Sequence, residues 1–195
     1  MKRLIGLVVA VALMLPFSVQ AATYTLDPAH TNIGFKVKHL MITNVKGVFE
    51  KFTGTVVIDD QDLAKSKINV SVDIASINTN IAKRDDHLRS GDFFDAAKYP
   101  KMTFVSTKFE KVSADKLKVT GNLTIRGVTK AVVLNVEGLT ADMKTPQGDI
   151  KRGATATTSI NRQDFGVSWN KSLDAGGVVV ADEVHIIIEA EMNKQ

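Results

Sequence analysis

One segment of the chain, residues 83–100 with the sequence KRDDHLRSGDFFDAAKYP, concentrates the side chains that could do chemistry. Two arginines, three aspartates and one histidine precede a Phe-Phe pair here, whereas most of the surrounding sequence alternates apolar and polar residues. Guanidinium groups form paired hydrogen bonds with phosphate or carboxylate oxygens, and an imidazole can act as a general base near neutral pH. The segment therefore has three interpretations: a clamp for the head group of a ligand, an ion-paired scaffold, or a catalytic centre.

Residues 81–89 are predicted to form a short helix within this segment, because side chains on one side recur at helical spacing. Asn80 is the expected N-cap, with Thr79 as the second choice, since both side chains can accept a hydrogen bond from the first turn. Asp92 is expected to cap a brief turn that carries the Phe-Phe pair. The helix and its flanks form one excursion, residues 80–96, between two predicted strands.

The charged residues of this helix favour the scaffold interpretation. Asp85 and Arg89 are spaced i, i+4 with the acid first, which is the favourable order for an ion pair on a helix. A catalytic pair of His87 as base and Asp85 as orienting group is disfavoured, because residues two apart on a helix do not face each other. No nucleophile stands at an obvious partner position. The clamp is the alternative, and its candidate head-group residues are Arg84, Asp85, His87 and Arg89.

The first 21 residues have the composition of a secretory signal peptide. Two basic residues precede an apolar run, and Val19 and Ala21 satisfy the small-residue rule for cleavage. The run is shorter than a membrane-spanning helix requires, and a retained anchor is the alternative. We expect residues 1–21 to be removed on export, which leaves a single domain over residues 22–195.

Composition excludes several functional classes. The formal net charge is +4, and loss of the two basic residues of the signal peptide lowers it to +2. The sequence has no long run of like charges, so it does not predict a nucleic-acid surface. The chain has no cysteine, and hence no thiolate metal site. Four histidines show no metal-binding motif and are predicted to be structural: His30, His39, His87 and His185. No cofactor and no stable membrane insertion is predicted.

A period of two dominates the sequence after residue 23. Such alternation of apolar and polar residues is typical of strands with one face in a core and the other in water. Arg126-Gly127 predicts a tight hairpin, and residues 146–149 and 174–177 predict two further turns. The predicted strands are residues 33–38, 47–59, 68–75, 101–110, 117–125, 129–138, 150–161 and 184–192.

These eight strands predict an all-β protein. Consecutive strands with short links are antiparallel neighbours, and closure into a barrel removes the two unpaired edges of the sheet. We therefore predict an eight-stranded antiparallel β-barrel with one helical excursion, and a two-sheet sandwich is the alternative. The barrel would be about 25 to 33 Å tall, the length of a lipid tail. Small inward residues, among them Gly121 and Ala190, either leave a bore or let their neighbours interdigitate.

The mature sequence as a whole resembles the YceI-like family of periplasmic polyisoprenoid-binding proteins. Residues 78–104 carry the resemblance most specifically, because this segment is long and unusual in composition. Asp86 is a mild departure at a position where the family varies. The matching segments are HTNIGFKVKHL (30–40), GVFEKFTGT (47–55), NTNIAKRDDHLRSGDFFDAAKYPKMTF (78–104), LTIRGVTK (123–130), NRQDFG (161–166) and DEVHIIIEAE (182–191).

The resemblance implies a lipocalin-like barrel whose bore holds a long isoprenoid or a similar amphiphile, and it implies no shared catalytic activity. It favours a tunnel lined by the inward apolar residues, which the pattern alone would assign to a plain core. The predicted lipid-binding residues are Phe35, Val37, Phe49, Phe52, Val72, Ile74, Phe93, Phe94, Phe104, Leu123, Trp169, Ile186 and Ile188.

The predicted function is that of a periplasmic carrier or store for a long-chain isoprenoid lipid of quinone or polyprenyl type. A tail gains about 0.8 kcal/mol for each CH2 group removed from water, so a dry bore binds it with few polar contacts. The alternative is an enzyme that acts on such lipids through the excursion, with Arg84 and His87 in the site. A third hypothesis is an interaction module that docks or forms a homodimer through the outer face of the barrel.

Overall fold

The structure is a computed structural model that describes residues 21–174 and 176–195, so the predicted signal peptide lies outside the described residues apart from Ala21. Twelve strands within this part of the chain form one antiparallel sheet. The strands are β1 (Ala22–Leu26), β2 (Asn32–His39), β3 (Thr43–Phe49), β4 (Phe52–Ile58), β5 (Lys67–Asp73), β6 (Ile77–Asn78), β7 (Lys101–Lys111), β8 (Lys116–Ile125), β9 (Val128–Glu137), β10 (Met143–Lys144), β11 (Ile150–Asn161) and β12 (Val180–Lys194).

Over residues 21–174 and 176–195, helical structure is confined to short segments. The α-helix α1 (Ala82–Arg89) lies in the predicted excursion. Three single turns of 3-10 helix occupy Leu63–Lys65, Ile74–Ser76 and Arg162–Phe165. Over the described residues, no helix combines the length and the apolar character needed to cross a bilayer.

Three of the eight strands of the barrel are each divided in two, and of these three only the second was predicted across both halves, as residues 47–59. β1 and β2 form the first, β3 and β4 the second, and β5 and β6 the third. The pairings follow this division, because β2 pairs with β3 and β1 with β4, while β6 pairs with β3 and β5 with β4. The first strand starts at Ala22, well before the predicted start at residue 33, since the turn at residues 27–31 interrupts the alternation.

The sheet closes on itself through β12, which is the longest strand. One edge of β12 pairs along the whole of β11 from Asn193 to Glu183. Its other edge pairs first with β2 and then with β1. With each divided pair counted as one strand and the two-residue β10 set aside, eight strands form a closed ring. This ring confirms the predicted antiparallel barrel, and the sandwich alternative is wrong.

Tight turns join the strands where the sequence predicts them. Arg126 and Gly127 have φ values of 50° and 76°, as the two central residues of a type I′ hairpin turn require. Gly127 is required for a second reason, because a Cβ atom there would lie 2.8 Å from the ring of Tyr99. Backbone hydrogen bonds close the other two predicted turns, at residues 145–149 and 173–177.

The two ends of the barrel differ in construction. The upper end carries the β2–β3 and β8–β9 turns, the loop that follows the last 3-10 turn, and the excursion at residues 80–96. The lower end carries the beginning of β1 and the end of β12. A separate apolar cluster fills the lower end and consists of Tyr24, Val56, Ile58 and Met192.

A buried arginine seals the lower end. Arg152 points inward from β11 and is 7% exposed. Its guanidinium donates two hydrogen bonds to Asp60, at 2.8 and 2.6 Å, and one to Asp142, at 2.6 Å. It also lies 5.3 Å from the ring centroid of Tyr24, whose hydroxyl donates to Asp142 at 2.6 Å. Burial of this charge is tolerated because carboxylates surround it.

The pairing shifts the pKa values of this cluster. Hydrogen bonds from Lys194 and Tyr24 hold the pKa of Asp142 well below its ordinary value, and the hydrogen bonds from Arg152 lower the pKa of Asp60. Burial and the bond to Asp142 raise the pKa of Tyr24 to about 12. An acid whose pKa is lowered by folding stabilises the folded state above its unfolded pKa, near 3.9, and this stabilisation is lost as the pH falls below about 4.

Arg152→Met is expected to lower the free energy of unfolding at pH 7 by about 2 to 3 kcal/mol, because it removes three charge-assisted hydrogen bonds. Acidification from about pH 4 to pH 2 should destabilise the unmodified protein more than this variant, since Asp60 and Asp142 then titrate nearer their ordinary pKa values. Urea unfolding at pH 7 and at pH 3 measures both effects. Lys116→Met, which removes an exposed pair with Glu137, is the control, and an equal loss in both variants would contradict the sealing role of Arg152.

Candidate functional site

Two apolar cavities lie one above the other inside the barrel. The lower cavity has a volume of about 150 Å³ and lies above the Arg152 cluster. The upper cavity has a volume of about 100 Å³ and lies beneath the excursion. Ile33, Met102 and Ile186 line both cavities and therefore lie at the boundary between them. The interior is thus not filled from end to end by side chains.

The walls of the lower cavity come from strands all around the barrel. Thr103 and Thr158 are the two lining residues with a hydroxyl group, and the other lining residues are apolar. A cavity with such walls stays dry, because a water molecule in it would find too few polar partners. Five of the predicted lipid-binding residues line it: Val72, Phe104, Leu123, Ile186 and Ile188.

Small side chains on β11 and β12 supply the space of the lower cavity. Ala154 and Ala190 are directly opposed across these two strands, and both line the cavity together with Ala156. Gly121 has a different role, because the ring of Phe104 packs against its backbone where a Cβ atom would otherwise lie. The alanines therefore leave a bore, while the glycine lets its neighbour interdigitate.

Aromatic residues of the strands and of the excursion enclose the upper cavity. The ring centroids of Phe35 and Phe49 are 5.8 Å apart, and Phe94 meets Phe49 edge-on at 6.0 Å. Leu88 of α1 also lines this cavity. Five predicted lipid-binding residues lie in its wall, besides the shared Ile186: Phe35, Val37, Phe49, Phe93 and Phe94.

Three predicted lipid-binding residues line neither cavity. Ile74 is 1% exposed, and Phe52 is half-buried against the same main core. Trp169 lies in the loop that follows β11, with its ring centroid 5.2 Å from that of Phe93, and so stands at the rim of the excursion. Contact of these three residues with a lipid stays a prediction.

Arg162 lines the upper cavity and is not among the predicted site residues. It is 5% exposed. Burial lowers the pKa of its guanidinium, and Asp182 lies 3.3 Å away. The signal in the sequence is a basic residue that continues the inward side of an alternating strand. Its guanidinium donates, at 2.6 to 3.2 Å, to the carbonyl oxygens of Val167, Trp169, Val180 and Ala181.

The start of α1 differs from the prediction. Ile81 occupies the N-cap position without a side-chain hydrogen bond, and Asn80 has a φ of 63°, so the expected caps at Asn80 and Thr79 are wrong. Thr79 instead donates to the Asp85 carboxylate, from its backbone N–H at 2.9 Å and from its hydroxyl at 2.5 Å. Both residues are buried. This contact ties the helix to the strand that precedes it.

The two arginines of the excursion also bind the chain itself. Arg84 donates to the hydroxyl and to the carbonyl oxygen of Thr79, both at 2.7 Å. Arg89 donates to two carbonyl oxygens of the preceding strand segment and to the carboxylate of Asp86 at 2.8 Å. The predicted ion pair between Asp85 and Arg89 is wrong, because each side chain has another partner.

His87 lies at the rim of the excursion. Its Nε2 atom is 2.8 Å from a carboxylate oxygen of Asp92, so Asp92 binds this imidazole rather than capping the following turn as predicted. The ring of His87 lies edge-on to Phe93 at 5.0 Å and to Trp169 at 5.2 Å. The catalytic pairing of His87 with Asp85 is not formed. These contacts agree with the scaffold interpretation, and contact of Arg84, Asp85, His87 or Arg89 with a head group stays a prediction.

One cluster outside the cavities has the donor types of a cation site. Asp27, His30 and Glu191 place their ligand atoms within 4.8 Å of one another. The ammonium group of Lys151 already lies 2.8 Å from Asp27 and 2.6 Å from Glu191, and its hydrogen bond lowers the pKa of Asp27. The cluster is therefore a salt-bridge network that ties the β1–β2 turn to β11 and β12.

A closed antiparallel barrel with apolar cavities, one sealed end and one end under a helical excursion defines a lipocalin-like fold. The family model described as the YceI-like domain matches residues 24–192. The chain belongs to this family, which confirms the resemblance found in its sequence.

Known proteins support this assignment. A UPF0312 protein of Vibrio parahaemolyticus is 43% identical over 168 residues, which cover 85% of this chain and 88% of the relative. The crystal structure of the Campylobacter jejuni YCEI protein matches with a TM-score of 0.69 at 41% identity, over 88% of this chain and 98% of that one. A polyisoprenoid binding domain from Saccharophagus degradans matches with a TM-score of 0.64, over 89% of this chain and 99% of that one. That domain is 16% identical, so the likeness concerns the fold.

Asp85→Ala is expected to lower the free energy of unfolding by about 2 kcal/mol, because it leaves the buried N–H and hydroxyl of Thr79 without their acceptor. Trp169 is the one tryptophan of the chain, and its fluorescence reports on the excursion during urea unfolding. Asp86→Ala is the matched control, since Asp86 is exposed and pairs only at the surface; it should cost less than about 1 kcal/mol. Equal effects of the two variants would contradict the structural role of Asp85.

Proposed function

We propose that the protein is a periplasmic carrier or store for a long-chain isoprenoid lipid of quinone or polyprenyl type, with the tail held in the barrel. The observation that carries this proposal is the pair of apolar cavities stacked along the barrel interior. Eight-stranded barrels either pack solid or hold one slender ligand, and cavities of this kind favour the second case.

The volumes of the two cavities limit the length of tail that each can hold. An apolar cavity of about 150 Å³ stays dry and accepts a molecule as large as benzene, which is close in size to one isoprene unit. Each cavity therefore holds a short piece of a tail, and a longer tail would have to pass the boundary residues Ile33, Met102 and Ile186. Met102 is the adaptable residue of this boundary, because its unbranched thioether side chain has several rotatable bonds.

The binding energy would come from burial of the tail against the apolar lining of the barrel. Each isoprene unit contains five carbon atoms, and removal of a CH2 group from water contributes about 0.8 kcal/mol, so a few units supply several kcal/mol. The polar residues of the excursion are hydrogen-bonded to the chain and are not needed for this affinity. The proposal therefore makes the protein a binding protein rather than an enzyme.

The route of entry follows from the two ends. The Arg152 cluster seals the lower end, so the tail would enter from the upper end, beside the rings of Phe93 and Trp169. A carbonyl or phosphate head group would then lie at the rim near His87, whose side chain is 42% exposed. The fold shared with a polyisoprenoid binding domain supports the proposal of an isoprenoid tail, and the signal-peptide pattern of residues 1–21 supports the periplasm.

Ala154→Leu is expected to abolish lipid retention, because the larger side chain occupies the lower cavity. The protein is purified from its native host, extracted with organic solvent, and the extract is examined by mass spectrometry. The unmodified protein should yield an isoprenoid lipid in near-stoichiometric amount, and the Ala154→Leu variant should yield at least about tenfold less.

Thr155→Leu is the matched control for this experiment. Thr155 is the next residue along β11 and is exposed on the outer face, so a leucine there adds the same bulk outside the cavity. The control should retain lipid like the unmodified protein, and thermal unfolding checks that all three proteins are folded. Absence of lipid from the unmodified protein, or equal lipid in the Ala154→Leu variant, would overturn the proposal.

A further inference from the structure

The turn between β2 and β3 exposes three consecutive apolar side chains at the upper end of the barrel. Leu40 is 38% exposed, Met41 is 51% exposed and Ile42 is 80% exposed. We call these three residues the hairpin tip. Isolated apolar residues on a surface are ordinary, but a contiguous group at the apex of a hairpin indicates a contact surface.

The backbone conformation of the hairpin tip is unfavourable for leucine and methionine. Leu40 and Met41 both have positive φ values, 51° and 59°, which Asn-Gly or Asp-Gly sequences adopt far more readily. The turn is nevertheless well held, since the N–H of Ile42 donates to the carbonyl of His39 at 3.0 Å and that of Leu40 donates to Val179 at 2.9 Å. Polar turn residues would stabilise this turn better than Leu40 and Met41 do. We therefore infer that the apolar side chains have a role other than stabilising the fold.

The strands that carry the hairpin tip are basic. Residues 32–49 contain Lys36, Lys38 and Lys46 and no acidic residue. Lys36 and Lys46 are directly opposite each other on β2 and β3, and like charges in such positions are destabilising. The ion pairs found among residues 21–174 and 176–195 include none of these three lysines, so their charge is free to act on another molecule.

Among the described residues, the acidic side chains of the adjacent β12 form no ion pair with these lysines. Asp182 lies 3.3 Å from Arg162, Glu183 lies 3.5 Å from His185, and Glu189 accepts a hydrogen bond from Asn32 at 3.3 Å. The loop that supports the hairpin tip carries one basic and one acidic residue between positions 171 and 179, and its net charge is therefore zero.

We propose that the hairpin tip docks the protein on an anionic phospholipid bilayer. The three apolar side chains would enter the interface between head groups and acyl chains, while the lysines of the same hairpin meet anionic head groups. A bilayer fits this surface better than a protein partner, because three side chains are too few for a specific protein interface. This surface belongs to the end of the barrel that carries the excursion, and Phe35 and Val37 of the same hairpin line the upper cavity. Docking would therefore bring that cavity close to the membrane.

The test is sedimentation of the protein with vesicles of phosphatidylglycerol and phosphatidylcholine, and with vesicles of phosphatidylcholine alone. The chain is used from Ala22 onward, because residues 22–195 contain all twelve described strands and omit the apolar N-terminal run, which would itself bind lipid. The unmodified protein should bind the anionic vesicles, and salt should weaken the binding because it screens exposed charges.

The informative variant is Leu40→Asn combined with Met41→Gly and Ile42→Ser. This change places preferred residues in the turn, so the melting temperature should stay equal or rise, while the affinity for anionic vesicles falls by at least about tenfold. Lys36→Gln with Lys46→Gln should weaken binding and flatten its salt dependence. Met143→Ser removes a side chain that is 64% exposed at the lower end and should leave binding unchanged.

Several results would overturn the proposal: no binding of the unmodified protein to anionic vesicles, undiminished binding of the turn variant, or self-association in sedimentation that the turn variant abolishes. The Ala154→Leu variant separates this proposal from the carrier proposal, because it should dock normally while it carries no lipid. Loss of either property alone therefore identifies which of the two proposals fails.

Discussion

The pairing of β11 with β12 is the constraint on which the rest of the structure depends. It closes the sheet and turns one face of every strand toward an enclosed space. The apolar residues of those faces must then either fill that space or leave it empty. Because Ala154 and Ala190 are opposed at this very seam, the interior keeps a cavity where larger side chains would have packed it solid.

The two ends of the barrel give the enclosed space a direction. At the lower end, a network of charged hydrogen bonds around Arg152 fixes several strands and loops together, which suits a permanent seal. At the upper end, a helical excursion lies over the cavity and contributes aromatic rings to its wall. The basic hairpin with its apolar tip belongs to that same end. Entry of a lipid tail and contact with a bilayer would therefore take place on one side of the molecule.

The charged residues that first draw attention in this sequence are used largely for construction. A segment that leaves a β-sheet carries backbone carbonyls and N–H groups that no neighbouring strand can satisfy. Arg84, Arg89 and Arg162 donate to such carbonyls, and Asp85 accepts from the backbone and hydroxyl of Thr79. A cluster with the composition of a catalytic centre can thus be a scaffold, and the difference lies in where the hydrogen bonds go.

The sequence by itself determined the eight strands, their order, the tight turn at Arg126-Gly127 and the family, because alternation and turn chemistry are local properties of a chain. Only the tertiary structure decided that Thr79 binds Asp85, that Arg89 pairs with Asp86, and that Arg162 lines a cavity. It also decided that Ile33, Met102 and Ile186, which come from three strands far apart in sequence, meet at the boundary between two cavities. Such contacts depend on the register and curvature of the closed sheet, and a difference of about one ångström between facing side chains separates a cavity from a packed core.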